Sequence, residues 1–253
     1  IGKLTGTDLL LHGLYSGNRF LLDTIVFTGM GTSLKGHLNL PLRLSFSPFS
    51  VQVLRDSLSG SINTPGVDVS ILNRFLRGEL IMEAGTLRAD LELSGTTQAP
   101  VVLGKFSLRS KSAVLGPLNI ELNDLSASGT LRRDSITLDS LVAFSGKGYV
   151  KGNGFLSFEQ FKPKWMDVNF SLKRLKITPD PNSEVVVSGN FRIKGPPGSP
   201  TIEGNTHVDE AFVYLPFGKR GASTAPSPSP VKYSIRVTGE KSIFVMNELM
   251  NVE

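Results

Sequence analysis

From His37 to Phe46 the chain reads HLNLPLRLSF, and every second residue, Leu38, Leu40, Leu42, Leu44 and Phe46, is apolar. A period of two places these side chains on one face of a β-strand and His37, Asn39, Arg43 and Ser45 on the other. The pattern returns in LRADLEL (Leu87, Ala89, Leu91, Leu93), KFSL (Phe106, Leu108), LNIEL (Leu118, Ile120, Leu122) and SITL (Ile136, Leu138). It continues in DVNFSL (Val168, Phe170, Leu172), NFRI (Phe191, Ile193) and YSIRV (Tyr233, Ile235, Val237). Short intervals rich in Gly, Asn, Asp, Ser and Pro separate the segments. They predict hairpins, and hence an antiparallel sheet with one apolar and one polar face. GVDVSILNRFLRG, from Gly66 to Gly78, departs from this period. Val69, Leu72, Phe75 and Leu76 share a helical face, Asp68 is an N-cap and Gly78 a stop, which predicts a short amphipathic helix of about two turns covering part of the apolar face.

Two longer units repeat. Gly95, Pro100 and Gly104 in LELSGTTQAPVVLGKFSL align without gaps on Gly195, Pro200 and Gly204 in FRIKGPPGSPTIEGNTHV, and LDTIVFTGMGTSLKG (Leu22 to Gly36) echoes LDSLVAFSGKGYVKG (Leu138 to Gly152). A hairpin-rich repeat of this kind marks an elongated sheet more than a closed sandwich. The reading is one elongated body over residues 1–253, with modules at about 85–182 and 183–253 and a Pro/Ser-rich loop at 221–230. About fifteen strands at roughly 4.8 Å spacing make a sheet roughly 70 Å long. With one short helix on offer, such a sheet must curl over its own apolar face or leave a groove, and an uncovered apolar surface of that size marks a binding site.

Composition narrows the chemistry. The chain has no cysteine, which excludes a disulfide framework, a thiolate metal site and a cysteine nucleophile. No nucleophile elbow, zinc-protease helix, phosphate-binding loop or calcium loop occurs, and His12, His37 and His207 lie far apart. Glu92, Glu121, Asp139 and Glu203 are flanked by apolar strand residues and read as outward solubilising groups. The 27 Lys and Arg against 22 Asp and Glu leave a charge of +5 that is scattered singly. Its densest run, Lys173, Arg174 and Lys176, sits inside an alternating strand, so no nucleic-acid stripe is formed. We therefore expect no enzyme, cofactor, metal site or nucleic-acid partner. Trp165 is read as a packing residue at the start of a strand. The stretch from Asp8 to Phe27 is interrupted by His12, Gly13, Asn18, Arg19 and Asp23, and is no transmembrane helix. The chain begins at Ile1 without Met and is read as a piece of a longer protein.

GSINTPGVDVSILNRFL (Gly60 to Leu76), GTLRADLELSGTTQAPVVLGKFSL (Gly85 to Leu108), GKGYVKGNGFLSF (Gly146 to Phe158) and FRIKGPPGSPTIEGNTHVDEAFVYLP (Phe191 to Pro216) together resemble the TamB and AsmA-like envelope proteins, in particular the C-terminal part of TamB. The resemblance implies an all-β fold, an elongated curved antiparallel sheet forming a taco-like hydrophobic groove. It also implies a periplasmic location, with the parent protein anchored in the inner membrane of a Gram-negative bacterium. Phospholipid transport between inner and outer membranes is the function it implies, with phospholipid acyl chains as the partner. The alternative is a scaffold for translocation and assembly of outer-membrane proteins with a TamA-like barrel partner. On this reading the groove is lined by Leu38, Leu40, Leu42, Leu44, Leu87, Leu91, Leu93, Phe106, Leu108, Leu118, Ile120, Leu122, Ile136, Leu138, Val168, Phe170, Leu172, Phe191, Ile193, Ile235 and Val237, with Leu91 and Phe170 expected at one level.

Overall fold

The computed structural model describes residues 7–29, 32–76, 78–116, 119–159, 162–180, 182–214, 230–239, 243–246 and 251–252. Leu118 and nearly all of the Pro/Ser-rich loop at 221–230 lie outside the described residues. The chain builds one sheet, beginning with β1 (Thr7–Ser16), β2 (Arg19–Gly29), β3 (Thr32–Phe46), β4 (Phe49–Val53) and β5 (Ser59–Asp68). Next come β6 (Leu80–Gly95), β7 (Pro100–Leu115), β8 (Ile120–Arg132), β9 (Ser135–Ser145) and β10 (Gly148–Glu159). The last strands are β11 (Lys162–Asp180), β12 (Ser183–Gly195), β13 (Thr201–Tyr214), β14 (Lys232–Gly239), β15 (Ile243–Met246) and β16 (Asn251–Val252). Strands follow one another in chain order as a meander from β1 to β13, except that β4 folds back on the far half of β3 and leaves β3 to pair with β5.

Two pairings depart from the antiparallel expectation. β14 lies parallel to the first half of β13, from Thr201↔Lys232 to Val208↔Gly239, and β15 lies parallel to its last residues, Ala211 to Tyr214. Parallel neighbours need a long connection that returns the chain to the start of the strand. The sequence between Tyr214 and Lys232 is long enough to supply one, whereas every earlier connection between sheet neighbours except the helical segment after β5 is a short turn.

The repeated units become equivalent turns. Gly95, with φ of 92°, pairs with Pro100 at the β6–β7 turn, where the Ala99 N–H donates to the Thr96 carbonyl at 3.1 Å. One hundred residues later Gly195 has φ of 120°, and the Ser199 N–H donates to the Pro196 carbonyl at 2.9 Å. Both glycines hold a left-handed backbone that side chains disfavour, so the shared spacing is a turn specification. The second echo is equally literal: Ile25 pairs with Gly36 and Leu141 with Gly152, the same register in both hairpins.

The segment after β5 is a 3-10 turn, Val69–Leu72, followed by one α-turn, Asn73–Leu76, instead of a continuous α-helix. Asp68 caps it as the sequence predicts, its carboxylate accepting the Ser70 N–H at 2.8 Å. An unexpected fastening comes from Asn73, whose side chain accepts the Met82 N–H and donates to the Met82 carbonyl, both at 2.9 Å. The amide thus pairs with β6 as a neighbouring strand would. Val69 is fully buried, and Leu72 and Leu76 pack with it against a cluster of Met82, Ala113, Ile120, Leu122, Leu125, Ala143, Val150, Leu175 and Val187.

That cluster marks where the sheet bends. β9 and β10 turn at Gly146–Lys147, while β8 and β11 continue past this turn at one margin of the sheet. The overhanging ends of β8 and β11 approach one another there, and the Asn119 side chain donates to the Thr178 carbonyl at 3.4 Å. Bulges with positive φ at Ala84, Asp124 and Arg174 allow the curvature. The sheet is therefore curved and open, with its packed centre near one margin, under the helical turn.

Candidate functional site, an apolar sheet face

Residues paired directly across strands share a face, so register traces the apolar surface. Ile62, Leu91, Gly104, Leu131, Ile136, Leu156 and Met166 form one continuous row from β5 to β11. Leu87, Leu108, Ala127, Leu141, Gly152, Phe170 and Phe191 form another, which reaches Ile235 through Gly204. Between them run Ala89, Phe106, Gly129, Leu138, Gly154, Val168 and Ile193. Leu93 pairs with Gly60, which pairs with Leu38, and Leu40 pairs with Phe20. Leu172 lies with Val150 and Gly189, and Val237 joins that row through Thr206. Leu42, Leu44, Ile120 and Leu122 lie outside these rows; the other described residues expected to line a groove fall in them, on one side of the sheet.

Glycine recurs beside the large residues for a packing reason. A Cβ on Gly129 would stand 2.5 Å from Cζ of Phe106, one on Gly152 would stand 2.8 Å from Cδ1 of Phe170, and one on Gly204 would stand 3.0 Å from Cδ1 of Phe191. Each ring lies over its neighbouring glycine, flattening the face into a surface without knobs. This pairing of ring with glycine is set by the register between strands, which alternation along the chain does not carry.

The apolar face is not uniform. Ile120 and Leu122 belong to the solid cluster at the packed margin, whereas Leu87, Leu91, Leu93, Phe106, Leu108, Ile136, Leu138, Val168, Phe170, Leu172, Phe191 and Ile193 are half-buried. Leu91 and Phe170 are not at one level: they stand on β6 and β11, five strands apart, and in different rows. Alternation gives the face of a residue but not its register, which the bulges shift. Leu42 and Leu44 pair with Val53 and Val51, and Phe46 with Phe49, in a hairpin that carries the apolar face beyond the sheet. Phe46 and Phe49 at its tip are 77% and 73% exposed. Ile235 and Val237 are also exposed, on the short strand at the opposite end of the sheet.

The other face is polar and cross-linked. Arg192 donates from Nε to Oδ1 of Asp167 at 2.8 Å and from Nη2 to the other carboxylate oxygen, and these bonds hold the Asp167 carboxyl below the usual carboxylate range. Lys194 pairs with Glu203 at 2.8 Å and Arg174 with Glu210 at 2.6 Å. Such exposed pairs contribute little individually but keep this face wet. The three histidines make separate local contacts: His12 with Asp23 at 2.8 Å, His37 with Ser61 at 2.8 Å and His207 with Thr238 at 3.2 Å. Trp165 is 45% exposed, paired with Ser157 next to a bulge, so the reading of it as a packing residue does not hold. A cavity of 1340 Å³ is bordered by Lys151, Asn153, Asn169, Asn190, Arg192 and Asn205 from the polar rows, together with Phe170, Phe191 and Ile235.

The sheet is thus open and antiparallel through β13, with one glycine-flattened apolar face and a charged reverse. Residues 139–243 match the family model of the TamB C-terminal domain. Over this stretch the chain is similar to that domain. The match runs from Asp139, within β9, to Ile243, the first residue of β15, and includes Phe170, Phe191 and the parallel strand β14. Compared with curated proteins and with solved structures, the chain has no significant match. Among the described residues no helix is long and apolar enough to cross a membrane.

Proposed function

We propose that the chain is a section of a periplasmic conduit in which phospholipid acyl chains move along the apolar face, between an inner membrane that anchors the parent protein and an outer membrane. The observation that carries this reading is the unbroken succession of apolar rows across the strands. Taking two acyl chains of about 16 carbons out of a bilayer costs about 0.8 kcal/mol per methylene, on the order of 25 kcal/mol, and a continuous apolar surface offsets most of it. Rows of Leu, Ile, Val, Phe, Met, Ala and Gly, with Thr206 as the polar member at the β13 end, offer no charged anchor, so chains slide instead of locking. The half-buried residues of the rows are the lining; Ile120 and Leu122 support it from the packed margin. Lipid extraction and native mass spectrometry of the purified chain test the reading: co-purifying phospholipid supports it, and a chain that takes up no lipid from vesicles overturns it.

A second reading, a scaffold for outer-membrane protein assembly with a TamA-like barrel partner, draws on the edge strand β1. It pairs only with β2 among the described residues and exposes Leu10, Leu11 and Leu14, as a template for an added client strand would. Crosslinking of a client β-strand peptide to β1 is its distinguishing result.

A further inference from the structure

The hairpin of β3 and β4 leaves the sheet at the margin opposite the packed centre, beside the β6–β7 turn, where Ser57 bridges to Thr96. Its root is fixed on both sides. The Leu42 N–H donates to the Asn18 carbonyl at 2.9 Å and the Leu44 N–H to the Tyr15 hydroxyl at 3.0 Å, while the Thr97 hydroxyl donates to the Leu54 carbonyl at 2.7 Å. Towards the tip the cover ends: exposure rises from 9% at Leu42 to 77% at Phe46, and Phe49, Val51 and Val53 on the facing strand are 73%, 54% and 55% exposed. Register puts Leu44, Phe46, Phe49, Val51 and Val53 on one face of the ribbon and Arg43, Ser45, Ser50 and Gln52 on the other. Charge is one-sided as well. Between Asp23 and Asp56 the chain holds no carboxylate, whereas Arg43 and Arg55 are exposed. Asp56 is already paired with Arg19 at 3.1 Å, so hairpin and root together carry three arginines against one carboxylate.

We propose that this hairpin docks the chain on a lipid bilayer with anionic headgroups, with Phe46 and Phe49 entering the interfacial zone; such a contact goes beyond the conduit and scaffold readings and is compatible with either. Two rings and two valines at these exposures offer roughly 500 Å² of apolar surface, short of the about 800 Å² per partner that a stable protein interface buries. A bilayer needs no complementary pocket, because lipid closes around a narrow convex tip, and aromatic rings are at home at its boundary with water. Arg43, three residues from Phe46, stands about 10 Å above the tip, within a Debye length of the charged surface. The backbone bounds the depth. β4 pairs with β3 alone among the described residues, so its outer amides need water or headgroup oxygens and cannot follow the rings into hydrocarbon. Alternation along β3 runs from Leu38 and Leu40 through Leu42 and Leu44 to Phe46, so docking by the tip sets the open margin of the sheet's apolar face against the membrane.

The test is flotation of the 253-residue chain with vesicles of phosphatidylcholine, alone or mixed with phosphatidylglycerol at three to one, in low salt. The wild type should float with the mixed vesicles. Phe46→Ala with Phe49→Ala should weaken that partition roughly a hundredfold, about tenfold for each ring. Arg43→Gln with Arg55→Gln should weaken it about fivefold per charge and leave binding to phosphatidylcholine alone unchanged. For depth, Phe49→Trp in a Trp165→Phe background should be quenched more by lipid brominated near the headgroup end of its chains than by lipid brominated near their methyl ends. A wild type that does not float, or a double alanine variant that floats as well as the wild type, overturns the proposal. Sedimentation velocity reads the competing occupant: a wild-type dimer that the double alanine change dissolves makes the tip a contact between copies and overturns it too. Stronger quenching from the methyl ends overturns interfacial docking. None of these outcomes bears on co-purifying lipid, by which the conduit reading is judged.

Discussion

A charged barrier across the apolar face at a single strand is the sharpest perturbation the register suggests. Leu91 and Leu93 stand on β6 with Ile62 and Gly60 on one side and Gly104 and Val102 on the other. Because a glycine flanks each, the two leucines supply much of the local apolar surface. Replacing both by Asp puts two carboxylates within about 7 Å of each other and wets roughly 10 Å of the face, one strand spacing to either side. About seven methylenes of a passing acyl chain then lose their cover, at about 0.8 kcal/mol each, or about 6 kcal/mol. A barrier of that size slows passage by about ten-thousandfold. The cost to the fold is smaller, about 1 kcal/mol per half-buried leucine, because neither belongs to the packed cluster. The assay is transfer of a fluorescent phospholipid between donor and acceptor vesicles, with circular dichroism as the check on folding. Leu103→Asp is the control: Leu103 pairs with Glu92 on the opposite face and is 40% exposed, so transfer should be unchanged. Normal transfer by a folded Leu91→Asp, Leu93→Asp variant would refute the groove, and equal inhibition by Leu103→Asp would refute the assignment of faces.

Met82→Ala removes a side chain that is 2% exposed beneath the helical turn and should cost about 2–4 kcal/mol, read as a lowered denaturation midpoint without loss of strand content. Gly129→Val forces a Cβ 2.5 Å from the Phe106 ring and 2.2 Å from the Thr137 carbonyl; a drop of several degrees in Tm should follow, partly relieved by Phe106→Ala. The Ser70 N–H bond holds the Asp68 carboxyl below its ordinary value of 3.8. Its contribution to folding is therefore complete above that value and is lost as pH falls through the lower folded pKa. The Ser70 amide shift should titrate in that acid range and not near neutrality, and Asp68→Ala should abolish the titration and cost about 1 kcal/mol.

The faces were legible in the sequence because alternation is enforced by the strand itself: successive side chains must point to opposite sides, so Leu87, Leu91 and Leu93 could be assigned from order alone. Turn chemistry was legible for the same local reason, as Gly95 and Gly195 with their prolines show. The N-cap at Asp68 needed only its neighbours. Register was not local. The row through Leu91 reaches β11 at Met166 and the row through Leu87 reaches it at Phe170, an outcome of five successive strand pairings that no residue pattern announces. Likewise, whether an apolar residue ends in the solid cluster, as Ile120 and Leu122 do, or on the open face, as Leu91 and Ile136 do, depends on which strand ends overhang their neighbours. The β9–β10 turn stops short of β8 and β11, the longer strands close over the gap, and the helical turn seals it. The seating of Phe106 over Gly129 and the parallel placement of β14 were likewise decided by contacts between strands. By itself the sequence determined two-faced strands joined by tight turns. Tertiary structure decided where the apolar face is filled and where it stays open, because burial depends on what folds over a residue and not on the side to which it points.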